Sequence, residues 1–155
     1  MKIVINKCFG GFSLSPIAIA LYAKRKGKTA YFFKDDFYDG IKHVRVDMPE
    51  QKDLFWSAYS VPNPDEYTKN DKQWYEMTDS EKKEHNKKHT SISLYSGDIP
   101  RTDEDLIFVV ESLGSHIASG RCAELKVVEI PDGVQYEIDE YDGLEHIAEV
   151  HRTWG

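Results

Sequence analysis

Residues 2–27 read KIVINKCFGGFSLSPIAIALYAKRKG, and the order of physical signals within them decides the fold class. The run from Lys2 to Cys8 is β-branched and apolar, the makeup of a buried strand. Phe9-Gly10-Gly11-Phe12 must turn, because glycine adopts positive φ at little steric cost. Ser15 then precedes Pro16, an N-cap followed by a proline at the first helical position. Ile17, Ala20, Leu21 and Lys24 set a helical period, and Gly27 is a natural stop. Thr29 to Phe33, TAYFF, reads as a second strand. A helical crossover of this length predicts that the two strands run parallel.

The same order recurs downstream. SISLYS (91–96) reads as a strand, and DIPRTDEDLIFVVESLG (98–114) as a second helix. Thr102 or Asp103 caps that helix, and Glu104 and Asp105 favour the positive end of its dipole. Leu106, Val109, Val110 and Leu113 form its apolar stripe, which Gly114 ends. CAELKVVEI (122–130) is a strand. Pro131-Asp132-Gly133 turns, VQYEIDEY (134–141) alternates with period two, and Asp142-Gly143 is a two-residue hairpin signal.

Between the two units lies a stretch of different character. IKHVRV (41–46) follows an Asp39-Gly40 turn, which makes Phe37 to Val46 a hairpin arm. From 48 to 90 the chain holds the two-proline loop VPNPDEY and the charged TDSEKKEHNKKH, with Thr78 and Glu81 at capping-box spacing. A helix polar all round has nothing to bury, so this reads as a flexible or loosely structured insertion. The expectation is one α+β domain over 1–155: a mixed sheet with two strand–helix–strand units, a charged central insertion and a C-terminal β-hairpin.

A chain of 155 residues is about one domain's worth. The net charge of −7 disfavours nonspecific nucleic-acid binding, and no basic stripe suits a phosphate backbone. Cys8 and Cys122, two cysteines in all, fit a reducing compartment better than a disulfide framework. MKIVINK is a strand rather than a signal peptide, and PIAIALYA is far too short to span a bilayer. A soluble cytosolic protein is expected.

Each chemical candidate has a plain structural alternative. Backbone N–H groups of Gly10, Gly11 and Phe12, with the Ser13 and Ser15 hydroxyls, suit a phosphate at a helix start. Yet no Gly-Lys-Ser/Thr follows, and capping alone accounts for Ser15 and Pro16. Cys8 beside this turn is either a nucleophile with a depressed pKa or a small buried hydrophobe, and the second fits without a partner base. His85 and His89 share a helical spacing, but not the H-E-x-x-H pattern, and lysines flank them. The acidic tract of Glu129, Asp132, Glu137, Asp139, Glu140, Asp142, Glu145 and Glu149 reads first as a solvated face, with a protein-binding edge as the rival and a hard-cation site as a third reading. His151, Arg152 and Trp154, with Arg101 and Arg121, offer imidazole, guanidinium and indole groups for pairing a phosphate and stacking a base.

KIVINKCFGGFSLS at one end, and RTDEDLIFVVESLGSHIASGRCAELKVVEIPDGVQYEIDEYDGLEHIAEVHRTW at the other, resemble a family of small proteins encoded by bacteriophages and prophages. The resemblance covers both ends and leaves the middle unmatched. Glu104 stands where proline is common in that family, which affects capping rather than chemistry. Most members have no assigned activity, so the resemblance carries no catalytic residue, cofactor or metal ligand. It implies a setting in the cytoplasm of the bacterial host, and accessory or counter-defence work of the kind done by sponges that hold a nucleotide-derived immune signal without cleaving it. The expectation is a binder of a small phosphorylated ligand, of cyclic nucleotide or cyclic ADP-ribose type, through Gly10, Gly11, Phe12, Ser13, Ser15, Arg101, Arg121, Arg152 and Trp154. The alternatives are an inhibitor of a host protein acting through the acidic hairpin, and a small enzyme using Cys8 or a serine. An edge hairpin and exposed aromatics suit a homodimer or higher homo-oligomer.

Overall fold

A computed structural model of the chain describes residues 1–36, 42–53 and 55–150. The chain is α+β, and its strands are β1 (Lys2–Asn6), β2 (Tyr31–Asp36), β3 (Lys42–Val46), β4 (Trp56–Tyr59), β5 (Leu125–Glu129), β6 (Tyr136–Tyr141) and β7 (Leu144–Glu149). The helices are α1 (Pro16–Arg25), α2 (Pro64–Tyr67), α3 (Asp79–Ile92), α4 (Glu104–Leu113) and α5 (Ser115–Ala118).

The local signals hold. Ser15 caps α1 by accepting from the Ala18 N–H, with Pro16 in the first turn. Thr78 and Glu81 form the reciprocal box that opens α3. Asp103 caps α4 by accepting from the Asp105 and Leu106 N–H groups. The buried side of α1 is Ala18, Ile19 and Ala23, while Ile17 stays exposed. The buried face thus centres on Ala18, Ile19 and Ala23 rather than on Ile17, while Leu21 packs partly buried against the core.

Pairing departs from one mixed sheet. β1 pairs with β5, from Lys2 opposite Glu129 to Asn6 opposite Leu125. β2 lies between β3 and β4, and β6 pairs with β7. Every one of these pairs is antiparallel, and β1 and β2 lie in different sheets. The crossover helix therefore joins two sheets rather than two parallel neighbours. One core ties them together: Val4, Leu14, Ile19, Phe32, Leu106 and Leu125 belong to a single buried cluster.

The central segment supplies structure of its own, since β4 completes the second sheet and α3 runs on through Ile92. Ser91 and Ile92 are helical, so SISLYS is not a strand; the helix continues because Ile92 buries its side chain against Phe33 and Tyr59. Leu94 N–H and Ser60 N–H then bond across to Ala58 O and Ile92 O, both near 2.9 Å. The Asp39-Gly40 turn lies outside the described residues.

Candidate functional site

The glycine corner has an occupant. Gly10 and Gly11 sit at φ of +125° and +89°, in the region that favours glycine. A Cβ on Gly10 would stand 2.6 Å from the Cys122 carbonyl oxygen, and one on Gly143 would stand 2.7 Å from Gly10 N and collide with Gly11 N. The turn between β6 and β7 thus rests its backbone directly on the corner, and Gly10 N–H donates to Asp142 O at 3.2 Å.

Asn6, wholly buried, organises this junction. Its side-chain amide donates to Cys8 O and Gly143 O, each at 2.6 Å, and its Oδ1 accepts from Glu124 N–H at 2.8 Å. Its own N–H donates to Glu145 Oε2 at 2.8 Å, and Arg101 Nη2 donates to Glu145 Oε1 at 2.8 Å. The Arg101 guanidinium also lies 3.2 Å above the Phe12 ring centroid. Burial pushes the Arg101 guanidinium down from its ordinary value, and the Glu145 carboxylate opposes that shift.

The structure therefore brings Gly10, Gly11, Phe12 and Arg101 together, but around the hairpin. Ser15 Oγ is buried, accepts from Ala18 N–H and donates to Ile117 O at 2.6 Å. Arg121 is exposed and donates to Lys52 O at 3.1 Å, on a shallow 820 Å³ depression that Cys8 and His116 also line. Cys8 is half-buried, and its thiol donates to its neighbour's carbonyl at Phe9. Arg152 and Trp154 lie outside the described residues. Among the described residues, no His, Cys, Asp and Glu side chains gather as a metal site.

Ser13 leads elsewhere. It lines a 380 Å³ cleft between the start of α1, β4, the end of α3 and the chain that follows it. Trp56, Tyr59, His89 and Tyr95 give this cleft aromatic walls, and Ser57, Ser93 and Ser96 give it hydroxyls. The Ser57 Oγ is buried and has no hydrogen-bond partner among the described residues. A cleft with apolar walls and a few polar groups is the usual form of a small-molecule site.

One wall continues into a chain of hydrogen bonds. His89 Nε2 lies 3.3 Å from the Tyr59 hydroxyl, which lies 3.0 Å from His43 Nε2. His43 Nδ1 in turn meets Asp65 Oδ1 at 2.5 Å. The rings stand edge to face, with Tyr59 centroids 5.1 Å from His43 and 5.5 Å from His89. Burial lowers the His89 pKa, helped by the nearby His43 and His85. His85, four residues earlier on α3, faces Trp74 instead, so the two histidines serve different neighbours.

The sequence reading missed His43, Tyr59 and Asp65. They come from β3, β4 and α2, and no spacing rule joins them. The one local signal was Asn63-Pro64-Asp65, a helix start hidden inside what reads as a proline loop.

A second depression of 410 Å³ adjoins the cleft, sharing Ser93, Leu94 and Tyr95 with it. Lys26 and Lys28 line it. Lys26 is held by Asp103 at 2.9 Å and Asp105 at 2.7 Å, whereas Lys28 has no ion-pair partner among the described residues. No helix among the described residues is long and apolar enough to cross a membrane. The chain matches no protein-family model, no curated protein and no solved structure.

Proposed function

We propose that the protein binds a small phosphorylated, nucleotide-derived ligand, with the ring in the aromatic cleft and a phosphate on Lys28. The observation that carries this reading is that the two depressions share Ser93, Leu94 and Tyr95 in their walls. Trp56 and Tyr95 supply faces for a base, the serines supply partners for sugar hydroxyls, and Lys28 supplies a cation. The ligand is held rather than converted. The resemblance to bacteriophage proteins supports a counter-defence role, in which that ligand is an immune signal of the bacterial host. This reading leaves the glycine corner out, because the Gly10 N–H is already engaged by Asp142 O of the hairpin turn.

Calorimetry with adenosine 5′-monophosphate, cyclic ADP-ribose, a cyclic dinucleotide and unphosphorylated adenosine tests the proposal. At least one phosphorylated ligand should bind, and adenosine should bind about tenfold more weakly. Tyr95→Ala removes an exposed ring that both depressions share, and should cost about 1–3 kcal/mol of stacking. Binding that ignores both Tyr95→Ala and Lys28→Ala would refute the proposal.

A further inference from the structure

β4 is an edge strand whose outer edge opens onto the cleft. β2 lies on its inner side. On the outer side Ala58 O accepts from Leu94 N–H at 2.9 Å, so the Ala58 backbone points away from β2. Phe32 and Ala58 are therefore a non-hydrogen-bonded pair, and Lys34 with Trp56, two residues along, is of the same kind. Trp56 thus turns its C=O outward as well, while Ser57 between them turns its own groups toward Phe33 on β2. The segment facing this edge pairs with it only briefly. Ser93 lies opposite Tyr59, and after Leu94 the chain enters a single 3-10 turn at Ser96–Asp98. The cleft lies between, with Trp56 to Tyr59 on one wall and Ser93 to Ser96 on the other. Ala58 is buried, yet its N–H makes no hydrogen bond among the described residues, and neither does Trp56 O. Buried backbone amides are seldom left so.

We infer that this strand edge reads the base of the bound ligand: Trp56 O accepts from an exocyclic amine, and Ala58 N–H donates to the ring nitrogen beside it. This rests on the cleft reading above and narrows its ligand class to adenine-type nucleotides. Along the edge the free groups run acceptor, then donor, with none between them on that side. Adenine presents a donor and an acceptor next to each other on its pairing edge, in matching order. Hypoxanthine has the two exchanged, which sets oxygen against oxygen and N–H against N–H.

Two measurements decide it. Calorimetry compares adenosine 5′-monophosphate with inosine 5′-monophosphate, which differ only in that donor–acceptor pair. Adenosine 5′-monophosphate should bind about tenfold or more tightly. In a complex of isotope-labelled protein and isotope-labelled adenosine 5′-monophosphate, the Ala58 amide nitrogen should show a spin coupling to the adenine ring nitrogen across the hydrogen bond. Equal affinity for the two nucleotides, or a saturated complex whose Ala58 amide shows no such coupling, overturns the inference and leaves the cleft reading standing. Binding of neither nucleotide overturns it as well; the cleft reading then survives only if another phosphorylated ligand binds and Tyr95→Ala weakens that binding.

Discussion

Replacing Glu145 by alanine should release the hairpin from the glycine corner. The Glu145 side chain is 7% exposed and holds two donors, the Arg101 guanidinium and the Asn6 N–H, each at 2.8 Å. Removing it leaves a mostly buried guanidinium without its counter-ion, which costs about 3–5 kcal/mol in comparable pairs. The Asn6 N–H loses a charged acceptor as well, a bond worth about 1.5–3 kcal/mol. The two losses share one carboxylate and do not add. Arg101 retains some access to solvent, with 22% of its side chain exposed, which places the expectation near 3–4 kcal/mol. For a domain of this size that corresponds to a fall of roughly 6–16 °C in melting temperature. Thermal and urea unfolding followed by circular dichroism measure it. Arg101→Met supplies the control, because the double variant buries no unpaired charge. It should be at least ~1.5 kcal/mol more stable than the sum of the two single losses predicts. A loss below ~1 kcal/mol for Glu145→Ala, or strict additivity, would show that the pair does not hold the hairpin.

Two further expectations concern single positions. Gly143→Ala and Gly133→Ala both strain a positive φ, +85° and +81°, but only the first drives a Cβ into the backbone of Gly10 and Gly11. Gly133→Ala should cost about 1–2 kcal/mol and Gly143→Ala clearly more; equal costs by denaturant unfolding would mean the turn is not seated on the corner. Glu81 should titrate at about 2, because Lys72 and the Thr78 backbone and hydroxyl hold its carboxylate ionised. Its depressed pKa means the α3 cap is fully present above the usual value of 4.5 and is lost as pH falls toward 2, and a carbon-detected titration with a midpoint near 4.5 would refute it.

What could be read from the sequence was whatever a few adjacent residues decide. Ser15-Pro16, Thr78 with Glu81, and Asp103 each set a helix start, and each does so in the fold, because capping is a bond across three residues. The hairpin at Asp142-Gly143 belongs to the same class. The purpose of Gly10 and Gly143 was illegible, since the atoms that demand their small size lie at Cys122 for the first and at Gly10 and Gly11 for the second. SISLYS misleads because its alternation is local, whereas the burial that keeps Ile92 helical comes from Phe33 and Tyr59 on another sheet. The aromatic cleft was hidden for the same reason. Its histidines and tyrosine meet only once β3, β4 and α3 have packed, and nothing in their spacing encodes that meeting.

The pairing of β1 with β5 sets a schedule for synthesis. Asn6 must wait for Leu125, its partner 119 residues later, so at ribosomal speeds the strand emerges roughly 6–24 s before its partner. Throughout that interval Ile3, Val4 and Ile5, all buried in the finished fold, have no strand to pair with. The last link arrives later still, when Glu145 reaches Asn6. Such long-range closure makes for slow folding, and the nascent chain should lean on a chaperone that covers apolar segments. Moving β1 to follow β7 in a circular permutant would shorten that wait and speed refolding.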